Sequence, residues 1–252
     1  MNKLVFCASV SIALFFAACG DDSSSVEPSL DESSSSITES SSSTDAQKTS
    51  SSSSVENSSS AKSSSSTKAS SSTERVGEMT DSRDGQTYKT TTIGSQTWMA
   101  QNLNYETADS YCYKDSTKYC EKYGRLYTWA AATVACPSGW RLPAKAEFEA
   151  LLSVSGGLLT AGKILKSTSG WPINGWNGYV INTDDYSFSA LPAGTRFNDG
   201  SYGFESNVVD FWSSTEDNSH DAYYISLGYE NDCAGLNYTN KGNGFSVRCV
   251  KE

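Results

Sequence analysis

Histidine is almost missing from this chain: His220 is the only one in 252 residues, and none of the seven cysteines falls into a Cys-x-x-Cys spacing. That shortage argues against a tetrahedral zinc site, which needs a converging set of Cys and His. Basic residues are also few, 19 Lys and Arg against 29 Asp and Glu, for a net charge of −10. With no Lys/Arg stripe to neutralise phosphates, nucleic acid is not an expected partner. Acidity of this kind confers solubility and repulsion from anionic surfaces. Long apolar runs are absent too. Leu4 to Phe16 is the longest, too short for the ~20 residues of a membrane-spanning helix.

Residues 1–75 lack the apolar content for a core, whereas all six tryptophans lie beyond them. Lys3 followed by Leu4–Phe16 fits the n- and h-regions of a signal peptide. Phe16-Ala17-Ala18-Cys19-Gly20 then resembles the lipobox of bacterial lipoproteins, in which the cysteine is acylated and heads the mature chain. The rival is an ordinary secretory signal cleaved near Ala18, with Cys19 left as a free thiol. On the first reading residues 1–18 are removed and Cys19 ties the protein to a membrane, for which the outer membrane, facing out, is preferred. Several acyl chains on one cysteine exceed what stable anchoring needs.

From Asp21 to Arg75 about half the residues are serine. Apart from Val26, Leu30, Ile37 and Val55 no large side chain there is apolar, so burial cannot offset the entropy of ordering. Residues 19–75 read as a lipidated cysteine and a flexible tether, with a typical end-to-end distance of about 40 Å. Residues 76–252 are one domain, large enough to bury roughly 70% of its unfolded surface.

Within that domain, Gln86–Ile93, Gly94-Ser95 and Thr97–Ala100 form a hairpin pattern. Thr128 is placed to cap a short helix through Ala132. Pro143 suits the first turn of a second helix, which puts Phe148, Leu151 and Leu152 on one face and ends at Gly156-Gly157. Thr160–Lys166 makes another, burying Ala161, Ile164 and Leu165. Strand candidates follow at Phe188–Leu191, Gly194–Phe197, Asp210–Ser214, Ala222–Leu227 and Phe245–Val250, with Asn198-Asp199-Gly200 as a hairpin turn. Helices first and strands afterwards predict an α+β fold. Trp140, Phe148, Leu151, Trp212, Val247 and Val250 are the expected core.

Five ordered stretches carry a resemblance. Trp98-Met-Ala-Gln-Asn-Leu-Asn-Tyr105, Gly124-Arg-Leu-Tyr-Thr-Trp129, Cys136-Pro-Ser-Gly-Trp-Arg-Leu-Pro143, Phe211-Trp-Ser-Ser-Thr-Glu216 and Phe245-Ser-Val-Arg-Cys-Val250 resemble the Fibrobacter major paralogous domain family. The resemblance covers about residues 80–252. It implies a C-type-lectin-like fold, related in shape to the formylglycine-generating enzymes, in which two short helices flank small antiparallel sheets and the first and last strands lie together. It implies secretion, and no settled activity.

Beyond Cys19 the domain holds five cysteines, an odd number for an oxidising compartment. Cys112 and Cys120 form the natural local pair. A Cys136–Cys249 bridge is implied by the lectin-like resemblance, and Cys233 then stands outside both pairs or swaps into one of them.

For function, the leading expectation is a non-enzymatic surface binding or adhesion module, acting as a monomer on a polysaccharide or a surface protein. The candidate contacts are Trp171, Trp176, Tyr179, Tyr186, Asn198 and Asp199, because rings among small polar neighbours stack on sugars while amides and carboxylates take hydroxyls. Trp171 and Tyr186 also read as framework packed beneath the loop. No cofactor is expected. Calcium is considered through Asp184, Asp185, Asn198, Asp199, Glu216 and Asp217, which turn chemistry explains better. An enzyme is the lesser alternative, since it would need a reactive Cys233 or a loop histidine at His220, and no catalytic residue is assigned.

Overall fold

A computed structural model describes residues 75–175, 178–179 and 181–252. The expectations of a signal peptide, of acylation at Cys19 and of a tether fall on residues 1–74, which lie outside the described residues. The chain runs β1 (Val76–Thr80), β2 (Thr87–Ile93), β3 (Gln96–Met99), β4 (Ser110–Tyr111), α1 (Thr117–Tyr123), β5 (Leu126–Tyr127), α2 (Trp129–Ala135), β6 (Trp140–Arg141) and α3 (Lys145–Val154). It continues with α4 (Ala161–Leu165), β7 (Asn174–Gly175), β8 (Gly178–Tyr179), β9 (Thr195–Arg196), β10 (Tyr202–Gly203), β11 (Val208–Glu216), β12 (Asp221–Gly228), β13 (Ala234–Asn240) and β14 (Val250–Lys251). The fold is α+β.

The principal sheet is antiparallel in the order β1-β2-β3-β14-β6. Its β2–β3 hairpin closes on Gly94-Ser95, with Ile93 opposite Gln96 and Gly94 at φ 62. The pleat sends neighbouring residues to opposite faces, and both faces are covered. Ile93, Trp98 and Val250 join Phe148, Leu151 and Leu152 of α3 in one core cluster. Tyr88, Met99 and Cys249 join Ala131, Ala132 and Ala135 of α2 in another. The second sheet, β11-β12-β13, supplies Phe211, Ile225 and Leu227 to the first cluster and Trp212 and Ala222 to the second.

Helix ends follow local chemistry. The Thr128 hydroxyl accepts from Ala131 N at 3.4 Å, so the expected cap forms, and α2 runs on to Ala135. At the start of α3, Glu147 Oε2 accepts from Ala144 N at 2.8 Å and Thr215 Oγ1 accepts from Lys145 N at 3.0 Å. These two acceptors satisfy N–H groups that the first turn leaves open. Pro143 falls just before the helix rather than in its first turn. Gly157 N closes on Leu152 O at 2.8 Å.

Both expected bridges are present, Cys112–Cys120 and Cys136–Cys249, with Cα separations of 5.0 and 5.9 Å. Cys233 stands outside both and is not without a partner. Several expectations need correction. Among the described residues four α-helices form, where the residue pattern predicts three and the resemblance two; the one that neither predicts is α1, which begins inside the Cys112–Cys120 loop and runs on to Tyr123. Phe188–Leu191 is no strand and makes a single bridge, Ala190 to Lys166. Strand β13 carries no strong apolar signal. Trp140 and Ile164 are half-buried, whereas Phe148, Leu151, Trp212, Val247 and Val250 are core.

Candidate functional site

The polar centre of the domain is a buried guanidinium. Arg248, 1% exposed, donates from Nε to Asn102 Oδ1 at 2.7 Å and from Nη2 to Ser189 O at 3.0 Å. Its Nη1 donates to Met99 O at 3.2 Å and also to Phe188 O. The plane rests near the rings of Phe188 and Phe211, 4.6 and 5.3 Å from their centroids. Burial pulls its pKa down to about 9, opposed by the charge of Asp184. It therefore remains a cation at neutral pH. Four of its five N–H groups are used, and the fifth, on Nη2, has no acceptor among the described residues.

Neighbouring segments are locked to this group. Asn102 Nδ2 donates to Tyr123 O at 2.7 Å and to Ser246 Oγ at 3.2 Å. Leu103 N donates to Val247 O, and Arg125 N to Leu103 O. The close approach at Gly124 requires glycine: its φ is +77, and a Cβ there would lie 2.8 Å from Leu103 O. On the other side Asp184 accepts from Ser189 N at 2.8 Å and Ser189 Oγ at 2.6 Å. Burial raises the Asp184 pKa, and the bonds from Ser189 and the charge of Arg248 oppose the rise.

Above this network lies a groove of about 510 Å³, lined by Arg248, Asn102 and Asp184 together with Gln86, Gln101, Asn104, Ser167, Thr168, Ser169, Ser187 and Ser189. Lys89, Glu121 and Lys122 also line it. Val76, Ala100, Tyr123 and Leu191 add apolar surface, but amides, hydroxyls and charged groups make up most of the lining. Lys122 leans over the Tyr123 ring at 4.4 Å and lies 3.7 Å from Glu205. Its pKa is raised, chiefly by the contact with Tyr123. Such a surface is suited to exchanging many hydrogen bonds with a hydrophilic ligand. Ser189, the serine closest to a carboxylate, has its hydroxyl committed to Asp184.

Among the described residues, Trp171, Tyr186, Asn198 and Asp199 do not line this groove. Trp171 is buried, donates Nε1–H to Ala190 O at 2.9 Å and has the Lys166 ammonium 5.2 Å from its ring. It is framework and has no ring face to offer. Trp176 lies outside the described residues. Tyr179 belongs to the small ribbon opposite Asn174. Tyr186 is half-buried, donates to Val154 O at 3.2 Å and lies under the Arg75 guanidinium at 5.0 Å. Asn198 and Asp199 form the expected turn between β9 and β10. There Asn198 N donates to Asn243 Oδ1 at 3.0 Å, and Asp199 accepts from Ser201 N and Oγ at 2.9 and 2.7 Å. Those bonds lower the Asp199 pKa.

Among the described residues no three His, Cys, Asp or Glu side chains converge as a metal site requires. Of the six oxygen donors considered for calcium, only Asp184 reaches the groove. His220 sits on an exposed turn, its Nδ1 2.9 Å from the hydroxyl of the adjacent Ser219. Arg248 and Asn102 were missed as site residues although both lie inside recognised motifs. Phe245–Val250 is not the continuous strand expected, since Phe245 and Ser246 make isolated bridges and β14 begins only at Val250; an arginine among its apolar residues is the signal that points to a buried polar centre.

Neither a curated protein nor a solved structure matches the chain. A family model does match, over residues 91–251, and this span holds β3, most of the groove-forming segments and β14. On that match, the chain belongs to the Fibrobacter succinogenes major domain family.

Proposed function

We propose that this chain is a surface lipoprotein whose folded domain is a non-enzymatic binding module for glycans. The observation that carries the reading is the groove: amide and hydroxyl walls set over an immobilised Arg248–Asn102 network. Its volume of about 510 Å³ falls in the range of small-ligand sites, roughly 300–1,000 Å³. Such sites are usually lined by apolar side chains, whereas this one favours a polyol. Its floor is fixed before binding, which keeps the ordering cost of association small.

A lectin-like architecture is part of the same reading. It draws support from α2 and α3 on opposite faces of the principal sheet, from β14 beside β3, and from the Cys136–Cys249 bridge. The signal-like stretch, the Ala17-Ala18-Cys19 sequence and the serine tether support delivery to the outer membrane through acylated Cys19.

Two measurements test these parts separately. Display of the full chain on a glycan array should give binding that Gln101→Ala and Ser187→Ala weaken; silence across all polysaccharides refutes the glycan role. Labelling with a palmitate analogue in a bacterial host should mark the protein, and Cys19→Ser should abolish the mark and release the chain from membranes.

A further inference from the structure

The groove carries more positive charge than the chain around it. Three of its lining residues are cations, Arg248, Lys89 and Lys122, against two carboxylates, Asp184 and Glu121, on a chain whose net charge is −10. The two carboxylates differ in availability, because both oxygens of Asp184 already accept from Ser189. Arg248 is the decisive group. It is 1% exposed, held rigid by four acceptors, and left with one N–H on Nη2 that no described residue accepts. A buried charged donor without an acceptor is costly, and a docked anion would remove that cost through a charge-assisted bond. On α1, Lys118 and Lys122 lie over the rings of Tyr119 and Tyr123 at 4.8 and 4.4 Å.

We propose that the groove takes an acidic glycan, with a uronate carboxylate on the Arg248 floor, flanked by Lys89 and Lys122, and the sugar hydroxyls on the amide and hydroxyl walls. This rests on the glycan reading above and names the class of sugar. A single planar carboxylate matches one spare guanidinium N–H better than a phosphoryl group, which brings three acceptor oxygens.

The test compares oligogalacturonate with its methyl ester, which has the same sugar, linkage and length without the charge. With the full chain, calorimetry should show binding of the acid form, at least tenfold weaker binding of the ester, and weakening of the acid form as salt rises. The exposed pair Lys89→Gln and Lys122→Gln, which leaves the fold intact by circular dichroism, should weaken the acid form about fivefold and the ester by clearly less. Equal binding of acid and ester overturns the acidic class while leaving a glycan role standing, as does acid binding insensitive to the lysine variants. Preference for a phosphorylated mannan over the uronate also overturns it. No binding to any glycan on the array overturns both readings together.

Discussion

Replacing Asp210 by Asn should make the protein more stable at neutral pH and have little effect in acid. Asp210 lies on β11, 6% exposed, with Thr195 Oγ1 donating to its Oδ2 at 2.7 Å and Ser226 donating as well. Burial raises its pKa from 3.8 to about 6, and the two hydroxyl bonds only partly offset the rise. The sign follows from proton linkage. The folded state holds this proton more tightly than the unfolded chain, so at pH 7, where both are ionised, folding carries the full cost. A difference of about two pKa units corresponds to about 3 kcal/mol. That cost fades as pH falls through 6 and is gone below 3.8. An asparagine amide keeps the shape and can accept from one hydroxyl while donating to the other, which needs only to rotate. Urea unfolding of both proteins at several pH values is the assay, since subtracting the two curves cancels every other titration. The expected difference is about 3 kcal/mol in favour of the Asp210→Asn variant at pH 7, shrinking to near zero by about pH 3.5. A variant that is less stable at pH 7, or a difference that does not change with pH, refutes the reasoning.

Three further outcomes follow from the same structure. Cys136→Ser with Cys249→Ser should cost about 4–5 kcal/mol of stability, and loss of the Cys112–Cys120 pair about 2–3, because chain-entropy loss grows with the loop closed; chemical denaturation under oxidising conditions measures both. Lys166 is buried, donates to Gly228 O and Asn231 O at 2.8 Å each, and has its pKa lowered by burial from 10.5 to about 8. Its folded pKa lies below the unfolded value, so the cost of its charge is full below pH 8 and fades toward 10.5. Relative to Lys166→Met, the natural protein should gain up to about 3 kcal/mol across that window in urea unfolding. Gly162→Ala should lower the melting temperature by several degrees, because a Cβ there would collide with Cys233 O and must push α4 off that backbone.

Local features were legible in the sequence. The two-residue turn at Gly94-Ser95, the Thr128 cap, the apolar face of α3 and the Asn198-Asp199-Gly200 turn each depend on a few adjacent residues. The long bridge came through family resemblance, since no local spacing pairs Cys136 with a cysteine 113 positions away. The groove was not legible, because its lining is drawn from residues as distant as Gln86 and Arg248 and exists only once they are packed together. Phe188–Leu191 shows why an apolar stretch misleads: the carbonyls of Phe188 and Ser189 accept from Arg248 instead of a neighbouring strand. Trp171 read both as a contact and as framework, and its burial and its indole N–H bond to Ala190 fit the framework reading.

Strand β14 is threaded between β3 and β6. A product that stops before Val250 would present two raw sheet borders at once, each able to recruit a second molecule. Loss of the pairing made by Val250 and Lys251 should therefore turn the domain toward aggregation, although only these two residues join β3 to β6.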